Sequence, residues 1–180
     1  MKIGLFSIGL DTYWGQYEGL LPRLQRYEDE IAVRLQGMQV EVVRGGMVDN
    51  VSKSHAAASL FLQQEVELVC VFISTYALSS TVLPVVQRVG KPVLLLNIQP
   101  VPAIDYDYLN GLGDRALMTG EWLAHCQACS VPELACVLKR AGLRFDIVTG
   151  HLADEEMWQE LADSSSSAAA ARSRALKMSR

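Results

Sequence analysis

The stretch Glu67-Leu-Val-Cys-Val-Phe-Ile-Ser-Thr-Tyr76 decides the fold. From Leu68 to Ile73 it is unbroken apolar, with Val69, Val71 and Ile73 β-branched and neither Gly nor Pro. Six residues are too few for a helix buried on all sides. The run reads as a strand covered on both faces, the habit of a parallel sheet held between two helical layers. It stops at Ser74, Thr75 and Tyr76, polar groups at the carboxyl end of the strand. In open α/β sheets that end is where ligands sit.

Upstream, Lys2 to Ile8 reads as a first strand, and Leu20, Leu24, Tyr27, Ile31 and Leu35 then recur at helical spacing up to Gly37. Val40 to Val43 is a second strand closed by Gly45-Gly46, followed by a helix capped by Asp49 or Ser52. Downstream, residues 79–90 read as a helix ended by Gly90, whose start stays open because Pro84 is awkward anywhere but in a first turn. Pro92 to Leu96 is a fourth strand. Asn97 to Thr119 is a long connection, of the kind that is usually functional in a compact domain. Gly120 to Cys129 is helical, and Ser130-Val-Pro-Glu133 restarts a helix with a capping box. Phe145 to Val148 is a fifth strand and Asp154 to Ala162 a last helix. Strands alternating with helices give a three-layer α/β domain with a Rossmann/flavodoxin-like parallel sheet of about five strands, in the order 2-1-3-4-5. This domain covers residues 1–163, and residues 164–180 read as a low-complexity basic tail, Ser- and Ala-rich and disordered.

Composition narrows the function. The chain has 180 residues, half of them hydrophobic, and a formal charge of −4, so no basic face suggests nucleic acid. No run approaches a membrane span, and Met1-Lys2 leads directly into the first strand without a signal peptide. Cys70 and Cys136 sit in apolar surroundings, which suits a reducing cytoplasm.

Several chemistries fail on spacing. Cys126-Gln-Ala-Cys129 has the spacing of a redox or zinc pair, but it closes a predicted helix instead of opening one and has no second pair. It reads as two reduced, metal-free thiols. A phosphate loop needs close glycines after the first strand, whereas Leu10, Tyr13 and Trp14 fill the interval between Gly9 and Gly15. A phospho-receiver wants an aspartate where Ser74 stands. What remains is Asp11, Thr12 and Tyr13 after strand one, Ser74 to Tyr76 after strand three, and His125 beside the long connection. Rings beside hydroxyls and a carboxylate suit a polyhydroxylated ligand, although the same aromatics also serve simply to cover core edges.

Four segments carry a resemblance: Ile8-Gly-Leu-Asp-Thr-Tyr-Trp14, Ser74-Thr-Tyr-Ala-Leu-Ser-Ser-Thr-Val-Leu-Pro84, Leu94-Leu-Leu-Asn-Ile-Gln-Pro100 and Thr119-Gly-Glu-Trp-Leu-Ala-His-Cys-Gln-Ala-Cys-Ser-Val-Pro-Glu133. Together they resemble the N-terminal domain of the L-arabinose/L-fucose isomerase family, over roughly residues 1 to 163. The resemblance implies the first domain of a multidomain aldose–ketose isomerase of carbohydrate metabolism. A divalent metal, usually manganese, serves the full-length enzyme and is held by later domains. This chain then carries no catalytic and no metal-binding residue of its own. The implied substrate-binding positions are Asp11, Tyr13, Tyr76 and His125, and the implied partners are a sugar and either further copies of the chain or the missing C-terminal domains. In arabinose isomerases proper the position of Asp11 is more often Gln and that of Tyr13 Leu, which leaves the choice of sugar open. Two expectations stand side by side: a piece of an isomerase, inert alone, or a free-standing sugar-binding or assembly module.

Overall fold

A computed structural model describes residues 1–163; the Ser/Ala-rich tail lies outside the described residues. Five parallel strands form one sheet in the order β2-β1-β3-β4-β5. They are β1 (Lys2–Ile8), β2 (Glu41–Val48), β3 (Leu68–Phe72), β4 (Val93–Gln99) and β5 (Phe145–His151). The helices are α1 (Leu20–Gly37), α2 (Val51–Gln63), α3 (Ser79–Val89), α4 (Tyr106–Gly111), α5 (Arg115–Leu123), α6 (Val131–Arg140) and α7 (155–163). This is the three-layer α/β architecture and strand order expected from the sequence.

The alternation along β3 shows why the sheet needs both layers. Val69, Val71 and Ile73 are buried with residues of α2, α3 and α6, among them Phe61, Val82, Val86 and Leu134. Cys70 and Phe72 point the other way, into a cluster with Ile31 and Leu35 of α1 and Trp158 of α7. Successive side chains of a strand face opposite sides, so a wholly apolar strand is stable only when both sides are covered.

The glycines of β2 have a different role from the one the sequence suggested. The strand does not close at Gly45-Gly46 but runs on to Val48. Pairing with β1 jumps from Leu5 opposite Arg44 to Phe6 opposite Gly46, so Gly45 is the extra residue of a bulge. A Cβ on Gly45 would stand 2.9 Å from the Phe61 ring, and one on Gly4 would also stand 2.9 Å from that ring. Phe61 of α2 therefore seats against two strands where side chains are missing.

Other boundaries moved for local reasons. Asn50, not Asp49 or Ser52, caps α2 by accepting from the Lys53 amide. Asp49 instead turns inward, where its carboxylate accepts from Trp14 Nε1 at 2.8 Å and from Lys53 Nζ at 2.7 Å. Pro84 lies inside α3, past its first turn. The helical bond that its absent N–H removes is the one to the carbonyl of Ser80, an exposed residue. The long connection holds two helices, α4 and α5, each capped by an aspartate: Asp105 accepts from the Tyr108 amide and Asp114 from the Leu117 amide. No helix among the described residues is long and apolar enough to cross a membrane.

One carboxylate is buried in the layer between α1 and the sheet. Glu28 accepts from the Ser7 hydroxyl of β1 and from Arg44 of β2 at 2.9 Å. A buried charge is tolerable only when paired and hydrogen-bonded, and Glu28 is both.

Candidate functional site

The strand order reverses between β1 and β3, which places a crevice at their carboxyl ends. The chain leaving β1 makes a short 3-10 turn, Asp11–Tyr13, and the chain leaving β3 runs through Ile73 to Ala77. The floor is a small apolar cluster of Leu20, Leu24, Met47, Leu123 and Ala124, with Tyr13, Trp14 and Tyr17 packed on it.

Three tyrosines gather here. Tyr13 lies edge-on to Tyr17, with ring centroids 6.0 Å apart. Burial raises the pKa of the Tyr13 phenol, and the neighbouring phenols of Tyr76 and Tyr17 raise it further. Tyr13 and Tyr76, predicted from opposite sides of the crevice, are thus neighbours. Asp11 sits beside them on the exposed rim.

The hydroxyls between them are not free for a ligand. Ser74 and Thr75 are completely buried. Ser74 Oγ donates to the Ile8 carbonyl at 2.6 Å, and Thr75 Oγ1 donates to the Leu123 carbonyl at 2.7 Å. Gln127 Nε2 donates to the Ser74 carbonyl at 3.0 Å and to the Ala124 carbonyl at 2.8 Å. These bonds suture the loop after β3 to the α5–α6 junction and so fix where His125 stands. Two expected helix signals are also spent here. Ser130 Oγ accepts from the Ala77 amide and donates to the Ala77 carbonyl, and Glu133 accepts from the Ser79 amide. The residues read as a capping box are ties to the loop after β3 instead.

His125 belongs to a second group, which sequence reasoning did not assemble. Arg23 of α1 donates to both oxygens of Glu121 of α5, at 2.6 and 3.0 Å. Its Nε donates to Tyr27 Oη at 2.6 Å. His125 Nε2 lies 3.2 Å from Arg23 Nη2 and 3.2 Å from Glu121 Oε1. Burial works against the Arg23 charge, but the hydrogen bonds to Glu121 and Tyr27 outweigh it, so the guanidinium pKa is raised. The Arg23 hydrogen bond in turn holds the Glu121 carboxyl below the usual carboxylate range, against the opposing effect of burial. The signals available in sequence were Arg23–Tyr27 and Glu121–His125, both spaced four apart on a helix face. Each pair is visible alone; that they meet is a tertiary fact.

Arg23, Glu121 and His125 face a cavity of about 250 Å³. Its other wall is the chain after β4: Ala103, Ile104 and Asp105, then Tyr108 and Leu109 of α4. The His125 side chain is only 9% exposed, and its buried Nδ1 has no hydrogen-bond partner. Either tautomer leaves this atom unsatisfied, because both bonding neighbours meet Nε2.

The cysteines correct the sequence reading. Cys126 and Cys129 are joined as a disulfide, with Cα atoms 5.5 Å apart. The helix read through to Cys129 ends at Leu123, and the chain then winds through a 3-10 turn, Gln127–Ser130, directly into α6. That turn folds Cys129 back onto Cys126. The pair therefore opens a helix as well as following one.

The described residues do not fit manganese. Among the described residues no three His, Cys, Asp or Glu side chains are grouped so as to hold a metal ion. Glu121, the one carboxylate beside His125, has both oxygens occupied by Arg23. No protein-family model matches the chain, and no curated protein matches it.

Proposed function

We propose that this chain is the N-terminal domain of an L-arabinose/L-fucose-type aldose–ketose isomerase, working in the cytoplasm, where it supplies one wall of a sugar pocket and takes part in subunit assembly. The observation that carries the reading is the cavity faced by Arg23, Glu121 and His125 at the carboxyl end of the sheet. A sugar presents hydroxyls that both donate and accept. Ionised Glu121 and the Arg23 guanidinium offer complements to each, and Tyr108 adds an aromatic side chain to the opposite wall. At about 250 Å³ the cavity suits a monosaccharide better than a larger ligand.

Catalysis is not expected from this wall alone. Moving a hydrogen between C1 and C2 of an aldose needs a base with a free lone pair or a metal bridging the two oxygens. Glu121 is tied to Arg23 and held ionised, so it is a weak base, and Asp105 on the opposite wall accepts from the Tyr108 amide. The reaction then falls to later domains. Incubating the purified chain with L-arabinose or L-fucose and manganese should yield no ketose; turnover above a metal-free control would overturn this.

One observation favours a second reading, a free-standing sugar-binding or assembly module. Tyr106, Tyr108, Leu117 and Trp122 are all exposed along α4 and α5, beside the cavity. Exposed apolar side chains in one region suit a surface covered by another subunit.

A further inference from the structure

Cys126 and Cys129 are chemically unequal ends of one bond. Cys126 is buried, whereas Cys129 is exposed. Cys129 lies two residues before Val131, the first residue of the ten-residue helix α6, where the helix dipole favours a thiolate. The other two cysteines are free: Cys70 is buried within β3, its thiol pushed up to about 12 by burial, and Cys136 is exposed on α6.

The bond is not needed to hold its own turn. It closes a loop of sequence separation 3, and a loop that short removes little freedom from the unfolded chain. The turn is already held by Gln127, through the Ser74 and Ala124 carbonyls, and by Ser130, through both backbone groups of Ala77. A disulfide that adds little to the fold, with one of its cysteines exposed and a helix start to stabilise the released charge, is placed for exchange.

We propose that Cys126–Cys129 is a reversible thiol–disulfide exchange site, entered at Cys129, whose reaction partner is a dithiol. A thiolate of the dithiol attacks Cys129 Sγ; the new S–S bond forms there, and the bond to Cys126 breaks. The electron pair leaves on Cys126 Sγ, which takes a proton from water. The second sulfur of the dithiol then attacks the first, closing the reagent's own disulfide and releasing Cys129 as a thiolate. Two electrons pass to the protein and the dithiol is oxidised; the reverse sequence restores the protein disulfide. Attack at Cys126 is blocked by its burial.

The test is to equilibrate the full chain in mixtures of reduced and oxidised dithiothreitol, quench with acid, unfold in guanidinium so that buried Cys70 and Cys126 become reachable, block free thiols by alkylation and count them by mass. The expected count is four at the reducing end and two at the oxidising end, with one transition between and an unchanged circular dichroism spectrum. Four at every ratio would mean the pair does not bond, and two at every ratio would mean an inert staple; either overturns the proposal. Oxidised glutathione tests the point of entry, with adducts located by peptide mass so that Cys136 is counted separately. Cys126→Ser should take glutathione on Cys129 at least tenfold faster than Cys129→Ser takes it on Cys126. Equal rates would overturn entry at Cys129. Should either variant fail to fold, the wild-type titration alone still decides reversibility.

Discussion

Arg23 and Glu121, 98 residues apart in the chain, meet through two parallel hydrogen bonds of 2.6 and 3.0 Å that tie the first turns of α1 to the end of α5. Paired charges in this bidentate geometry are stronger than single contacts, and both side chains are largely withdrawn from solvent. The pair closes one side of the cavity and fixes His125. Glu121→Gln should therefore cost about 1 kcal/mol, or roughly 2–4 °C in melting temperature. The direction with pH follows from Glu121's lowered pKa. A carboxyl held below its unfolded value, about 4.3, adds stability that is fully present above that pH and is lost as pH falls through the folded value. The melting gap between wild type and Glu121→Gln should hold at pH 7 and shrink as pH drops from about 5 toward 3. A gap that stays constant would mean that Glu121's charge is not what ties the helices.

Phe61 and the two glycines beneath it form a second testable unit. A Cβ at Gly4 would stand 2.9 Å from the Phe61 ring. Gly4→Ala should lose about 1–3 kcal/mol through overpacking. Phe61→Leu alone should also destabilise by leaving a void, but the double variant should be more stable than the sum of the two losses predicts. Strict additivity in chemical denaturation would show that the ring and the glycine are not in contact.

These two cases divide what was legible in sequence from what was not. The unbroken apolar run Leu68 to Ile73 carried the sheet, because it is too short for a buried helix and rich in β-branched residues, and the strand observed there is Leu68–Phe72. Gly45-Gly46 misled because a glycine pair signals a turn and a bulge equally well; only the Phe61 ring shows which. Asp11, Tyr13 and Tyr76 could be placed after their strands from the sequence because strand ends are predictable places. Arg23 and Glu121 were passed over because charged residues on helix faces are ordinarily solvated. Ser74 and Thr75 looked like ligand groups, yet their hydroxyls are consumed by the carbonyls of Ile8 and Leu123, partners that no local pattern announces.

Trp14 separates a structural tryptophan from a surface one. Its indole N–H reaches the fully buried Asp49 carboxylate, while Trp122 is 43% exposed. Trp14→Phe should cost about 1–2 kcal/mol through the unmet carboxylate bond, whereas Trp122→Phe should stay within about 0.5 kcal/mol of wild type. Urea titrations of the two variants compare them directly, and equal losses would remove the Trp14–Asp49 bond from the account.

Tyr76 should be dispensable for folding. It is half-buried at the end of β3 and outside the sheet's two apolar cores. Tyr76→Ala should melt close to wild type and, in an assembled isomerase, should lose sugar affinity or turnover. A variant that unfolds while wild type stays folded would make Tyr76 structural; unchanged kinetics would remove it from the site.

The carboxyl edge of this sheet is proposed as one wall of a sugar site. The direct measurement is a two-dimensional NMR titration of the isolated chain with L-arabinose or L-fucose. An open wall leaves much of a sugar in water, so binding should be on the order of millimolar or weaker, worth only about 4 kcal/mol. Shifts should be confined to the backbone around Tyr13, Arg23, Tyr76, Asp105 and His125, and should be lost in His125→Ala and in Tyr76→Ala. Shifts scattered over the surface, or none at these positions at saturating sugar, would contradict it.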